Sequence, residues 1–566
     1  MAFDWLIRGG TVFDGTGRPG VRADVAIQNG VVAEIGDVKG AARRTIDAEG
    51  RAVAPGFVDI HTHYDAQIMW DRMLTISPWH GVTTVVMGNC GFGVAPTRPA
   101  HRSLIMRTLE KVEGMSVEAL EAGLGKEWGF ETFPQYLDAV ERVGSAINVG
   151  ALIGHTPVRM YVMGEASTER AATEGEIAQM RAIVREGLAA GAVGFATSKA
   201  ATHVGYGGRP VPSRAADFAE IRALASEIGR AGRGMMQATV GRELFFNEFA
   251  TIARDNKCNV TWTALLAGML GPGAHRGMLQ TTAAQQKEGL AIYPQVTCRP
   301  LNFEFQMREP FIFESMALFK PISAADHEGK KRIYADPAFR AKFKAASGAS
   351  SSSPFGQRWN QTVIAACQSE PGLEERNLAE VAAERGIDPI DLVLDLSLAS
   401  DLKDRFRMAV MNSDENEVQE LLLDPTTVLG LSDAGAHASQ LCDACFSTYL
   451  LGRWVREKQA MPLEQAIRML TSRPAEVFGI TDRGRLAQGL PADVVVFDPA
   501  TVGAGGLRRV HDLPGGADRL VSEATGIEAV IVNGVLVREQ NKDMVDLRGA
   551  LPGRLLRHGA AAQAMR

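Results

Sequence analysis

Short apolar runs recur along the middle of the chain, separated by longer amphipathic stretches. "TTVVMGNCG" (83–91), "NVGALIGHT" (148–156), "AVGFATSK" (192–199), "GMMQATV" (234–240), "NVTWTALL" (259–266), "LAIYPQVT" (290–297) and "TVLGLSDAGAH" (427–437) read as strands, and "GFVDIHTH" (56–63) adds one more. "EGEIAQMRAIVREGLAA" and "FAEIRALASEIGRA" read as helices lying between them. Strands that are apolar along their length are buried on both faces, as in a parallel sheet covered by helices. Eight such units predict a closed (β/α)8 barrel of the TIM type.

The two ends of the chain have a different rhythm. "DWLIRGGTVFDGTG" and "DVAIQNGVVAEIG" near the start, and "DVVVFDP" and "EAVIVNGVLVRE" near the end, alternate apolar and polar positions around Asn29-Gly30 and Asn533-Gly534. Asn-Gly between alternating runs is a strong hairpin signal. The economical reading is one small β-sandwich domain built from residues 1–55 and 485–545, a barrel over 56–484 and a C-terminal tail over 546–566. Residues 300–385 break the barrel's rhythm. "FEFQMREPFIFESMALFK" is aromatic and "AASGASSSSPFGQ" is rich in Gly and Ser, which reads as an inserted lid-like subdomain with a mobile Ser-rich piece. A long structural connection is the alternative.

Composition narrows the function. The chain has 566 residues, of which 46% are hydrophobic and 22% charged, with a net charge of -6. There is no basic stripe of the kind nucleic acid requires and no apolar run long enough to cross a membrane. The N-terminus lacks the apolar core of a secretory signal. Six scattered cysteines do not make a disulfide framework and suit a reducing, cytoplasmic setting. Cys442 and Cys445 have C-x-x-C spacing without a second pair, and packing is the expected role.

Candidate chemistry collects at the C-terminal ends of the strands: His61, His63, Cys90, His155, Lys199 and Asp433. In a barrel these ends share one mouth, where active sites are built. His61 and His63 are two apart, so on a strand they face the same way and can offer two imidazoles to one metal ion. A hydrogen-bonded packing pair is the alternative for two such histidines taken alone.

The order of motifs resembles the amidohydrolase superfamily. "APGFVDIHTHYDA", "SDAGAH" and the closing "LTSRPAEVFGITDRGRLAQGLPADVVVFDP" carry the likeness, and "GVTTVVMGNCGFGVAPTRP" points to the D-aminoacylase branch. The resemblance spans nearly the whole chain. It implies metal-dependent, zinc-type hydrolysis of an amide. The strand-one histidines and Asp433 would surround one or two ions, with the strand-two Cys90 as a further ligand. Asp433 would take a proton from metal-bound water and deliver it to the leaving nitrogen.

Three departures from that pattern matter. Strand five reads "MMQATVGR", with Gln237 and Thr239 where a histidine ligand is expected, and strand six, "VTWTALLAG", has none either. Lys199 ends strand four, where related branches carry a carbamylated, metal-bridging lysine; a substrate-binding or salt-bridged lysine is the alternative. His155 and His203 are open as ligands, catalytic oxyanion donors or substrate contacts, and His437 as a residue that orients the aspartate loop. The stretch after Asp433, "GAHASQLCDACF", has no arginine to hold a substrate carboxylate, which leaves Arg299 and Arg209 as replacements. The insert's Phe303, Phe305, Phe311 and Phe313 would suit an apolar acyl or aryl group, or pack the lid. The expected function is hydrolysis of a small amide, by default an N-acyl-D-amino acid, in a homo-oligomer that binds neither nucleic acid nor membrane. A cyclic-amide or lactone hydrolase, or a non-catalytic binding relative, are the alternatives.

Overall fold

The computed structural model describes residues 2–314, 316–348 and 358–557. Eight parallel strands form one curled sheet, in the order Phe57–Asp59, Val82–Met87, Asn148–Gly154, Gly194–Ser198, Met235–Thr239, Val260–Thr263, Ile292–Val296 and Val428–Leu429. Neighbours in the sheet are neighbours in sequence, as βαβ units demand. The first and last strands meet where Thr62 bridges Ala434 in parallel, and the His63 N–H donates to the Ala434 carbonyl at 2.7 Å. That seam closes the barrel, and it lies beside the two histidines of the opening motif.

The helices between the strands are set by local chemistry. Glu174–Ala190 starts in a capping box: the Thr173 hydroxyl accepts from the Glu176 N–H, and Glu176 reaches back to Thr173. It stops at Gly191, whose φ of 111° a side chain would resist. Its Met180, Val184 and Leu188 are buried, one stripe of the helical period. Both helices proposed from the sequence have the bounds expected of them.

Strands from both termini share one sheet. Val494–Phe497 pairs antiparallel with Ala52–Pro55, which pairs in turn with Phe3–Val12; Val21–Gln28 and Val31–Gly36 extend one side, and Ile527–Val532 and Val535–Glu539 the other. Asn29, Gly30, Asn533 and Gly534 all have positive φ, as a primed hairpin turn requires. Trp5, Ile7, Val25, Ile27, Val494, Val496 and Ile531 fill the core of this layer. A two-stranded hairpin, Gly503–Val510 with Arg519–Thr525, stands apart from the main sheet.

Two compact units emerge. The larger one carries the barrel and the terminal sheet: residues 1–266, 272–298 and 416–566. The smaller comprises Ala267–Gly271 and Arg299–Glu415. It has its own antiparallel sheet, in which Arg405–Met411 lies between Leu301–Gln306 and Thr362–Ala366. It also has its own core. Phe305 and Phe313 are buried there, their ring centroids 5.4 Å apart, and Phe303 and Phe311 pack against the edge. These phenylalanines hold their own unit together, so Phe305 and Phe313 do not line an acyl pocket. Most of the Ser-rich piece expected to be mobile lies outside the described residues.

Candidate metal and active site

His61 and His63 follow strand one, and both are buried. Their rings lie 5.3 Å apart. His61 has one nitrogen held by a hydrogen bond, and His63 has one beside a carboxylate. His61 Nδ1 meets Gln295 Oε1 of strand seven at 2.7 Å, and His63 Nδ1 lies 3.1 Å from Glu113 Oε1, at the end of the helix Arg102–Glu113. With Nδ1 so engaged, both Nε2 atoms face the strand-eight aspartate: Asp433 Oδ1 is 3.2 Å from His61 Nε2 and 3.6 Å from His63 Nε2.

Cys90 completes the group. Its Sγ lies 3.4 Å from His61 Nε2, and one ligand atom from each of His61, His63 and Cys90 falls within 4.8 Å of the others. The turn that carries it sits directly on the barrel backbone. A Cβ on Gly88 would lie 2.3 Å from the Leu152 carbonyl oxygen, and one on Gly91 would lie 2.9 Å from that of Ala196. The "GNCG" stretch is thus a close approach that only glycine permits, and Cys90 itself has a φ of 56°. Gln237, in strand five where the resemblance expects a histidine ligand, has a different task. Its Oε1 accepts the Cys90 N–H at 2.7 Å and so anchors the cysteine turn.

Two nitrogens, one sulfur and one oxygen are a donor set suited to zinc, with bonds of about 2.0–2.1 Å to N and O and about 2.3 Å to S. A tetrahedron with those bonds has edges of roughly 3.3–3.6 Å. Three separations, 3.2, 3.4 and 3.6 Å, fall close to that range, while Asp433 stays outside the set of ligand atoms that lie within 4.8 Å of one another, which is His61, His63 and Cys90. The electrostatics point the same way. Burial raises the Cys90 thiol, but His61 and His63 outweigh it and bring the thiol to about 7. Burial also opposes ionisation of Asp433, yet His63, His61 and His437 hold its carboxyl well below the usual range. Burial pulls both imidazoles down, while Cys90, Asp433 and, for His63, Glu113 lift them above their ordinary value. Two anions thus face two imidazoles across a gap that one divalent cation would fill.

The other residues singled out from the sequence stand outside this group of ligand atoms. His155 is buried, with Nδ1 on the Thr197 hydroxyl at 2.7 Å and Nε2 on Glu220 at 2.8 Å; Glu220 also pairs with Arg159. Both nitrogens are occupied, so this histidine is a structural link between strand three, strand four and the helix Phe218–Ala231. Lys199 Nζ donates to the carbonyls of Arg214 at 2.8 Å and Ala216 at 2.5 Å. Arg209 is exposed and pairs with Glu169 at 3.2 Å. Arg299 belongs to the smaller unit, is buried, and its carbonyl accepts from Asn412 Nδ2 at 2.8 Å. His203 Nδ1 bonds the Ser198 hydroxyl at 2.6 Å, and its ring packs on Phe92. Cys442 and Cys445 are buried. Sequence reasoning missed Glu113, which lies fifty residues beyond His63 with nothing local to mark it. Gln295 left one sign, a polar residue inside an otherwise apolar strand.

Residues 44–538 match the family described as "Amidohydrolase family". Among named relatives, a D-aminoacylase of Alcaligenes xylosoxydans xylosoxydans is 30% identical, over 99% of this chain and 98% of its own. An N-acyl-D-glutamate deacylase of the same organism is 31% identical, over 99% of this chain and 97% of its own. Among solved structures, a D-aminoacylase whose report concerns its binuclear metal center aligns with a TM-score of 0.67 at 27% identity, over 98% of this chain and 99% of that one. An N-acyl-D-glutamate deacylase from Bordetella bronchiseptica, complexed with zinc and a phosphonate inhibitor, aligns with a TM-score of 0.66 at 28% identity, over 98% of this chain and 100% of that one.

Proposed function

The chain belongs to the amidohydrolase family, in its D-aminoacylase branch, as a metal-dependent hydrolase of amide C–N bonds, and on that premise we propose a specific site and substrate class. The site holds a single zinc ion between His61, His63, Cys90 and Asp433. The substrate is an N-acyl-D-amino acid or a related amide whose carboxylate no arginine of the strand-eight loop clamps. The observation that carries this reading is the buried cluster of His61, His63 and Cys90, one ligand atom of each within 4.8 Å of the others, with Asp433 Oδ1 3.2 Å from His61 Nε2. A divalent ion there supplies an acidified water and a Lewis acid for the carbonyl.

The protein's own groups do the rest. Gln295 and Glu113 hold the two rings with Nε2 inward, as outer partners of metal-binding histidines do. Asp433, anionic at neutral pH, accepts a proton and passes it to the amide nitrogen as the C–N bond breaks. In the strand-eight loop, Ala438, Leu441, Cys442 and Ala444 are buried and none is cationic. No helix among the described residues is long and apolar enough to cross a membrane, and the substrate is a small molecule.

The test is a panel of N-acyl-D-amino acids, their L-enantiomers and their carboxamides, offered to zinc-loaded protein. Zinc-dependent hydrolysis favouring D-acyl substrates is expected. Stoichiometric zinc with no hydrolysis of any member would overturn the reading.

A further inference from the structure

His203 stands in the loop after strand four, held by its backbone. Its N–H donates to the Ala200 carbonyl at 3.1 Å, and its carbonyl accepts from Arg214 Nη1 at 3.0 Å. The tautomer of its ring can be read from Ser198. The Ser198 oxygen accepts the Ala200 N–H at 3.2 Å and lies 2.6 Å from His203 Nδ1. Ser198 is buried and its hydroxyl has no other acceptor among the described residues, so its proton goes to Nδ1, which is the acceptor. A neutral imidazole with an accepting Nδ1 carries its proton on Nε2.

That Nε2 makes no hydrogen bond among the described residues. His61 commits its outward nitrogen to Gln295 and His155 its two nitrogens to Thr197 and Glu220, while His63 Nδ1 lies 3.1 Å from the Glu113 carboxylate. His203 is nonetheless beside the site. Its ring lies 5.0 Å from that of Phe92, two residues past Cys90, and Phe92 lies 6.4 Å from His63. After burial, the groups that act on it are His437, His63, Asp433 and Arg214. Burial first, then His437, brings its pKa down to about 3, so it stays neutral at any working pH.

We propose that His203 is a neutral hydrogen-bond donor to the substrate, its Nε2–H oriented by Ser198 toward the oxygen of the scissile carbonyl. The proposal rests on the amidase reading above. A donor placed where negative charge develops stabilises the transition state more than the ground state, and a fixed neutral N–H does so without giving up its proton.

The test compares His203→Ala, His203→Gln and Ser198→Ala on whichever N-acyl-D-amino acid of the panel the wild type hydrolyses fastest. Zinc content and thermal midpoint are read alongside kcat and KM. Removing a donor of this kind costs about 10²–10³ in kcat. His203→Ala should lose that much with KM nearly unchanged and zinc content at the wild-type level. His203→Gln, whose amide N–H reaches a similar place, should recover about tenfold of it, and Ser198→Ala should show a loss of about tenfold as the tautomer is released. If His203→Ala fails to fold, the Gln and Ser198 variants decide. An active wild type whose three variants stay within about threefold in kcat overturns the proposal alone. A lost zinc signal in His203→Ala also overturns it, because the effect would then lie in the metal site. A wild type inactive on the whole panel overturns the reading beneath it.

Discussion

His61 and Asp433 are joined twice across the seam of the barrel. The Asp433 N–H donates to the His61 carbonyl at 3.1 Å, and Asp433 Oδ1 faces His61 Nε2 at 3.2 Å. The backbone bond sets where the carboxylate stands, and Asp433 adopts a φ of 47° to reach it, a conformation aspartate tolerates better than most residues. Closing the barrel and building the site are therefore one event.

Asp433→Asn keeps the shape and an oxygen ligand but cannot accept a proton at neutral pH. General acid–base catalysis contributes about 10²–10⁴-fold, and kcat should fall by that much while zinc stays bound. A variant that turns over at nearly the wild-type rate would remove Asp433 from the proton path.

Glu113→Gln and Gln295→Leu release the rings of His63 and His61 without touching a ligand atom. Outer partners of this kind are worth about 10–100-fold in metal affinity. Competition with a zinc chelator should show that loss for each variant. Unchanged affinity in both would mean that the rings are oriented by packing alone.

Lys199 cannot carry a carbamate and keep its two carbonyl bonds, to Arg214 and Ala216. Zinc content should therefore be the same in protein prepared with and without bicarbonate, and intact mass should show an unmodified lysine. Bicarbonate-dependent zinc uptake would place a carbamylated Lys199 among the ligands.

What the sequence made legible follows from distance along the chain. The strands, the two long helices and the Asn-Gly turns are local patterns, and they stand where they were expected. The His61–His63 pair and Asp433 were legible because strand ends share a mouth in a barrel. Glu113 was not, since it meets its histidine only after folding and neither spacing nor residue type marks it, and Gln295 showed only as a polar residue inside an apolar strand. Gln237 looked like a missing ligand because a sequence shows what a position lacks before what it does. The smaller unit runs to Glu415 because Arg405–Met411 pairs with one strand about a hundred residues upstream and another about forty upstream, and such long-range antiparallel pairing leaves no local trace.

The buried set of His155, Glu220 and Arg159 supports the barrel, and its charges give it a pH dependence. Burial holds His155 below its ordinary value, so the folded state keeps it neutral while the unfolded chain protonates as pH falls through about 6.5. Its share of stability is present above that range and lost on acidification. Glu220 is held low by His155 and Arg159 against the effect of burial, and its share is lost at lower pH, below about 4.3. The gap in thermal stability between wild type and His155→Gln should narrow from pH 7.5 to 5.5, read as about 7.5 and 5.5 on either side of the histidine range. Glu220→Gln, which leaves Arg159 unpaired, should cost about 3 kcal/mol or more at neutral pH. A pH-independent gap would contradict the assignment.

Substrate recognition without an arginine after strand eight has a measurable consequence. A site built around a buried guanidinium rejects neutral analogues, because the cation is left unpaired. Here an N-acyl-D-amino acid and its carboxamide should differ in kcat/KM by less than about a hundredfold, roughly 2.7 kcal/mol. A larger preference for the acid would reveal a clamp.

The metal centre itself is tested most directly by zinc X-ray absorption on reconstituted protein, together with metal analysis. One zinc per chain is expected, with one sulfur at about 2.3 Å and the remaining nitrogen and oxygen donors at about 2.0–2.1 Å, and with the sulfur lost in Cys90→Ser. A sulfur-free shell, or no zinc retained by a folded protein, would contradict the site formed by His61, His63, Cys90 and Asp433.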